Sequence, residues 1–236
     1  MSTLNLHWSV KWTVVALGFI TLAVLRSQLY GAESTVALAP PALDNPHAEG
    51  APQIAVIAGG CFWGVQGVFE HVRGVQKVVA GYAGGDKSTA RYETVSTGRT
   101  GHAESVQITF DPAHISYGQL LQIAFSVVFD PTQLNRQGAD WGTQYRSVFL
   151  YADETQKRIA EAYITQLDQS KVYSRAIVTR VDPLKGFYPA EDYHQDYLIR
   201  HPTESYIAMV DLPKVDNLKR SFPELYSGSP VLANAR

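Results

Sequence analysis

The chain has 236 residues, 45% of them hydrophobic, and a formal net charge of −2. That length supports one good-sized core or two small ones. Near-balanced charge without a basic run excludes a nucleic-acid surface, and the single cysteine excludes an internal disulfide framework or a multi-cysteine metal site.

In chain order, Thr13 to Leu25 is an uncharged apolar run with Lys11 before it and Arg26 after it. It is shorter than the ~18–20 residues of a spanning helix and fits the apolar region of a signal peptide. Ala37-Leu-Ala39 has the small-x-small form of a cleavage site but is followed by Pro40. With Trp8 and Trp12 counted in, an uncleaved anchor fits as well. Residues 1–30 are therefore expected to be a signal peptide or signal anchor. The protein would be exported, or held to a membrane through residues 12–26. Residues 31–52 carry Pro40, Pro41, Pro46 and Pro52 and read as a disordered linker. The folded domain is expected over 53–212, with a Pro-broken, peripheral tail over 213–236.

The domain opens on Ile54 to Ala58, a short apolar run that predicts a buried strand. Gly59-Gly60 marks a tight turn. Val65, Val68, Phe69 and Val72 then recur at three and four residues, as in an amphipathic helix. Cys61 thus stands where a strand ends and a helix begins. Backbone N–H groups are unpaired there and the helix dipole is positive, so a thiol at this point is expected to ionise more easily. Phe62 and Trp63 could wall an apolar pocket beside it. The plainer alternative is a small buried residue beneath a turn.

Val75 to Tyr82 predicts a second strand, and residues 84–101, with Tyr92, a long loop. Gly101-His102-Ala103-Glu104 leads into Ser105–Phe110, where Val106, Ile108 and Phe110 alternate with polar residues as in a half-buried strand. Ser116 with Gln119 is a capping-box signature ahead of a helical face of Tyr117, Leu120, Leu121, Ala124, Phe125 and Val128. Asp130-Pro131 ends it. Asn135 to Tyr145 is polar and irregular. Ser147–Tyr151 predicts a strand, Asp153 caps a helix over about 154–169, and residues 175–181 predict another strand. Phe187 to Tyr197 mixes polar and aromatic residues and opens a short helix at Ala190. There is no internal repeat and no phosphate-binding glycine motif.

A nucleophilic cysteine needs a base or a setting that makes it a thiolate, and an acid for the charge that develops on the substrate. Glu104, just after Gly101-His102, and Asp140, His194, Tyr92 and Tyr145 are the candidates. Spacing alone does not say which of them surround Cys61. Each also has an ordinary structural reading, as an exposed acid, a satisfied histidine or a solvated loop residue.

Five blocks occur in order: Gly59-Gly-Cys-Phe-Trp-Gly64, Gly81-Tyr-Ala-Gly-Gly85, Gly101-His-Ala-Glu104, Gly138-Ala-Asp-Trp-Gly-Thr-Gln-Tyr-Arg-Ser147 and Ala190-Glu-Asp-Tyr-His-Gln195. Together they resemble the peptide methionine sulfoxide reductase A family over roughly residues 53–200. The resemblance implies reduction of methionine-S-sulfoxide, free and in proteins, to methionine. It implies that Cys61 attacks the sulfoxide sulfur and becomes a sulfenic acid, while Glu104 protonates the oxygen. Tyr92 and Tyr145 would hold that oxygen, and Asp140 would act through water or by positioning. Phe62 and Trp63, with Tyr193 and His194, would bind the substrate. The implied fold is α+β, a two-layer sandwich around a mixed sheet, resembling a ferredoxin-like plait. No metal or organic cofactor is implied, and a monomer is expected.

Many family members carry further cysteines near the C-terminus that return the catalytic one to the thiol through a disulfide; this chain has none. A one-cysteine route is expected, with an external thiol as reductant: a thioredoxin-like protein, glutaredoxin with glutathione, or a small thiol. Two other classes stay open at this point. A cysteine hydrolase or acyl transferase would use Cys61 with His194 as base, and a non-catalytic peptide-binding module would use the aromatic surface alone.

Overall fold

The computed structural model describes residues 38–233, apart from 46 and 48. The signal or anchor expected over residues 1–30 lies outside the described residues. No helix among the described residues is long and apolar enough to cross a membrane.

The centre is a six-stranded sheet. Strand β1 (Gln53–Ala58) is followed by helix α1 (Phe62–Glu70), β2 (Val75–Ala83), a short helix α2 (Tyr92–Val95), β3 (Ala103–Phe110) and α3 (Tyr117–Ile123). Helix α3 runs on through a wider turn, Ala124–Val128. A two-residue hairpin, β4 (Arg136–Gln137) with β5 (Asp140–Trp141), comes before β6 (Val148–Tyr151), α4 (Glu154–Ser170), β7 (Arg180–Pro183) and β8 (Phe187–Pro189). Short α5 (Tyr197–Arg200), a turn at Ile207–Asp211 and α6 (Leu212–Ser221) complete the order. The sheet order is β7-β6-β1-β3-β2-β8. Every pairing is antiparallel except β6 with β7, which makes the sheet mixed.

The patterning explains the layers. Strand β1 is central, with Ile57 opposite Val106 on one side and Phe149 on the other. Both of its faces are covered, hence its unbroken apolar run. Ala55 and Ile57 meet the helices, packing with Val65, Val68 and Phe69 of α1, Leu120 and Leu121 of α3, and Ile159 and Tyr163 of α4. Val56 and Ala58 face the other way, with Val148 and Leu150, under Leu184 and Phe187. The Ser116–Gln119 capping box forms in full. Asp153 caps α4 by accepting from the Thr155 and Gln156 N–H groups.

Four expectations need correction. Residues 38–45, read as disordered linker, are docked: Tyr163 donates to the Ala39 carbonyl at 2.9 Å, Gln122 to the Leu38 carbonyl at 2.9 Å, and Asp44 accepts from the Gly118 N–H at 2.9 Å. Helices α3 and α4 satisfy the polar groups of this strap. The tail from 213 is not peripheral, because α6 buries Val215 and Leu218, and Phe222 follows them into the core. The strand expected over 175–181 forms only at Arg180–Pro183. The loop over 84–101 carries α2 and a turn at Lys87–Thr89.

Candidate active site

The chain leaves β1 through Gly60, whose φ of +90° favours glycine. Its N–H donates to the Tyr145 carbonyl at 3.2 Å, which ties the first motif to the fourth. Cys61 follows at the head of α1, with φ −59° and ψ 126°. Its side chain is buried and it is a free thiol. The Phe62 N–H, next along, donates to Glu104 Oε2 at 3.0 Å from β3. A first-turn amide and a buried carboxyl therefore meet beside the sulfur.

The electrostatics run against the expectation of an easily ionised thiol. Burial pushes the Cys61 thiol well above its usual value, Glu104, Asp211 and Asp140 push it further, and the Trp63 N–H opposes them. A helix terminus supplies only a partial positive charge, which desolvation and three nearby carboxyls outweigh. Burial likewise raises Glu104 to about 8 against the hydrogen bond from Phe62, with Asp140 and Asp211 adding to the rise. At neutral pH the site thus holds an acid that can donate beside a thiol.

Tyr92 and Tyr145 both respond to burial first, and then to the charges of Glu104 and Cys61. They sit beside that pair, which spacing along the chain did not reveal. Asp140 lies on β5 and accepts a hydrogen bond from the Tyr206 hydroxyl. Phe62 is fully buried, with its ring 5.1 Å from His194. Trp63 stacks on Tyr197 at 3.9 Å and donates its indole N–H to His194 Nδ1 at 3.1 Å. Burial lowers His194, so its neutral form is favoured. The indole bond commits Nδ1 as an acceptor, and no hydrogen bond from His194 to Cys61 occurs among the described residues. Tyr193 is 57% exposed and only flanks the site, its ring 4.2 Å from that of His194.

His102 is structural. Its Nδ1 accepts from the Gly85 N–H at 3.2 Å and its Nε2 lies 3.0 Å from the Asp86 carbonyl, locking two loops together. Arg146 donates to the carbonyls of Gly101 and His102 and holds the same loops from the fourth motif.

Sequence reasoning missed several residues. Glu191 accepts from the Tyr82 hydroxyl at 2.9 Å and from the Tyr92 N–H at 3.0 Å, so the fifth motif grips the second and aims Tyr92. Gln195 binds both the N–H and the carbonyl of Ala80 at 2.9 Å. Both stood inside a motif, which was the available signal. Tyr206 and Asp211 lie outside all five motifs and had no local signal.

All five motifs thus meet around Cys61. A family model for peptide methionine sulfoxide reductase matches residues 53–225. The chain belongs to this family. The match runs through α6, consistent with the packed C-terminal helix. MsrA 2 of Mesorhizobium japonicum is 60% identical over 190 residues, which cover 80% of this chain and 97% of that one. MsrA 2 of Synechocystis is 53% identical over 173 residues, 73% of this chain and 79% of that one. Among solved structures, methionine sulfoxide reductase A of Corynebacterium diphtheriae is 31% identical with a TM-score of 0.56, covering 74% of this chain and 91% of that one. Reduced Mxr1 of Saccharomyces cerevisiae is 29% identical with a TM-score of 0.58, covering 69% and 92%.

Proposed function

We propose that this protein reduces methionine-S-sulfoxide, free or within polypeptides, to methionine, with Cys61 as the nucleophile. The observation that carries the mechanism is the Glu104 carboxyl beside the first turn of the Cys61 helix, protonated at neutral pH by its dry setting. The Cys61 sulfur attacks the sulfoxide sulfur and Glu104 protonates the oxygen, which weakens the S–O bond. The oxygen leaves as water, carrying the Glu104 proton and the thiol proton. A water molecule then adds to the Cys61 sulfur, the S–S bond breaks to release methionine, Cys61 is left as a sulfenic acid, and a proton returns to Glu104. In sum, thiol plus sulfoxide gives sulfenic acid plus thioether, with two electrons passing from the cysteine sulfur to the substrate sulfur.

The Tyr92 and Tyr145 hydroxyls orient the sulfoxide oxygen, and Asp140, held by Tyr206, positions the polar side of the site. Phe62 and Trp63 receive the S-methyl group. His194 supports Trp63 through the indole bond, and Tyr193 offers an exposed ring to the substrate's flanking chain. The βαββαβ order of β1, α1, β2, β3, α3 and β6, with neighbours β6-β1-β3-β2, supports a ferredoxin-like plait.

With one cysteine in the chain, the sulfenic acid is returned to the thiol by an external thiol, from a thioredoxin-like protein or a small molecule. The apolar run from Thr13 to Leu25 supports export, or membrane anchoring through residues 12–26. The enzyme acts as a monomer. The test is a single turnover on a methionine-S-sulfoxide peptide without reductant, followed by mass spectrometry of the protein. One methionine per enzyme and one added oxygen on Cys61 are expected. No methionine from folded protein would overturn the assignment. The hydrolase reading is disfavoured, since the Nδ1 atom of His194 is occupied by Trp63.

A further inference from the structure

One buried charged pair at the site belongs to none of the five motifs. Asp211 ends the turn Ile207–Asp211, and Lys214 lies in the first turn of α6. Both are buried, and Lys214 Nζ donates to Asp211 Oδ1 at 3.3 Å. A Cβ on Gly64 would stand 2.1 Å from that Oδ1, so the carboxyl presses directly against the first turn of the Cys61 helix. The other oxygen, Oδ2, is buried without a hydrogen-bond partner among the described residues. An ion pair in such a place costs more than a well-packed apolar pair, and it stands beside the nucleophile.

We propose that the Asp211–Lys214 pair is a positioning device for the reaction: its carboxylate, braced under the Cys61 turn, keeps the protons on Glu104 and on the thiol until sulfoxide arrives, and Lys214 tempers it. The proposal rests on the acid role assigned to Glu104. The groups facing Asp211 are Lys214 on α6, Glu204 before α6, Asp140 on β5, Glu104 on β3, Cys61 at the head of α1 and the Tyr206 hydroxyl. Lys214 is the one cation among them. Removing the Asp211 charge therefore eases ionisation of both Glu104 and Cys61, and removing Lys214 does the reverse. Burial raises Asp211 itself to about 6 against the pull of Lys214, so it is charged at the pH of the assay.

The test uses D211N, K214Q and the double variant in the full-length protein. Two quantities are measured: the pH profile of kcat/KM, and the rate at which iodoacetamide alkylates the reduced enzyme. For D211N, the alkaline limb is expected to move down by about one pH unit, with alkylation several-fold faster at pH 7.5. K214Q should move both readouts the opposite way, and the double variant should lie between. A merely structural pair would lower kcat in all three without these opposed shifts. Unchanged limb and alkylation rate in D211N, or K214Q moving the same way as D211N, overturns the proposal. If D211N does not fold, K214Q and the double variant decide by the same signs. A Glu104→Gln enzyme that keeps the wild-type limb would instead remove the Glu104 assignment on which the pair depends.

Discussion

Glu104→Gln separates the catalytic from the structural cost of this carboxyl. The amide oxygen can still accept the Phe62 N–H that Glu104 Oε2 now accepts at 3.0 Å, so the local geometry survives. The proton does not. Loss of a positioned general acid lowers the rate by about 10²–10⁴-fold. In the parent enzyme the acid is raised to about 8, so about 90% carries the proton at pH 7 and about 10% at pH 9. The kcat/KM of the parent should fall across that interval, and that of the variant should not follow it. Stability should move the other way. A carboxyl whose folded pKa is raised from 4.5 to about 8 binds protons more tightly folded than unfolded. Its contribution is therefore neutral below about pH 4.5 and increasingly destabilising as pH rises toward 8. The cost is about 3 kcal/mol at pH 7 and about 5 kcal/mol above pH 8. Gln carries no such cost, so the variant should resist denaturant better than the parent at pH 8 and equally at pH 4. The assays are stopped-flow single turnover and urea unfolding at the two pH values. A variant that is as active as the parent, or no more stable at pH 8, refutes the reading of Glu104 as a buried acid.

Three further outcomes follow from the packing. Leu218→Ala, in the helix once expected to be peripheral, should cost about 2–5 kcal/mol in chemical denaturation because the side chain is fully buried; a cost near zero would return α6 to the surface. Asp44→Ala should lower stability by about 0.5–2 kcal/mol with activity unchanged, since Asp44 accepts from the Gly118 N–H and the Ser116 hydroxyl at the start of α3; an unchanged melting temperature would show that the strap does not dock. Gln195→Ala takes the side-chain acceptor from the Ala80 N–H and leaves the Ala80 carbonyl only its bond from the Ala190 N–H. It should cost about 1–3 kcal/mol, and equal stability to the parent would contradict the role given to that side chain.

What could be read from the residues in order was local. The apolar run of β1, the glycines that turn the chain and the three-four spacing after Cys61 all act within a few residues, and the strand, turn and helix form there, although α1 ends at Glu70, short of Val72, and is buried at every residue but Trp63 instead of being amphipathic. The Ser116 capping box and the Asp153 cap form too, where a side chain satisfies amides two or three positions on. The five motifs pointed to the family because chemistry and tight loops demand particular residue types at those positions. The tertiary structure decided the rest. Whether the Cys61 thiol ionises depends on burial and on carboxyls brought from β3, β5 and the turn before α6, and these reverse the local expectation from the helix terminus. Proline-rich composition suggested a loose strap, yet α3 and α4 supply partners for its backbone. Glu191 reaches Tyr82 and Tyr92 across about a hundred residues of chain, and Asp211 meets Gly64 only in the tertiary structure. Such contacts leave no periodic trace, because their partners are neighbours in space and not along the chain.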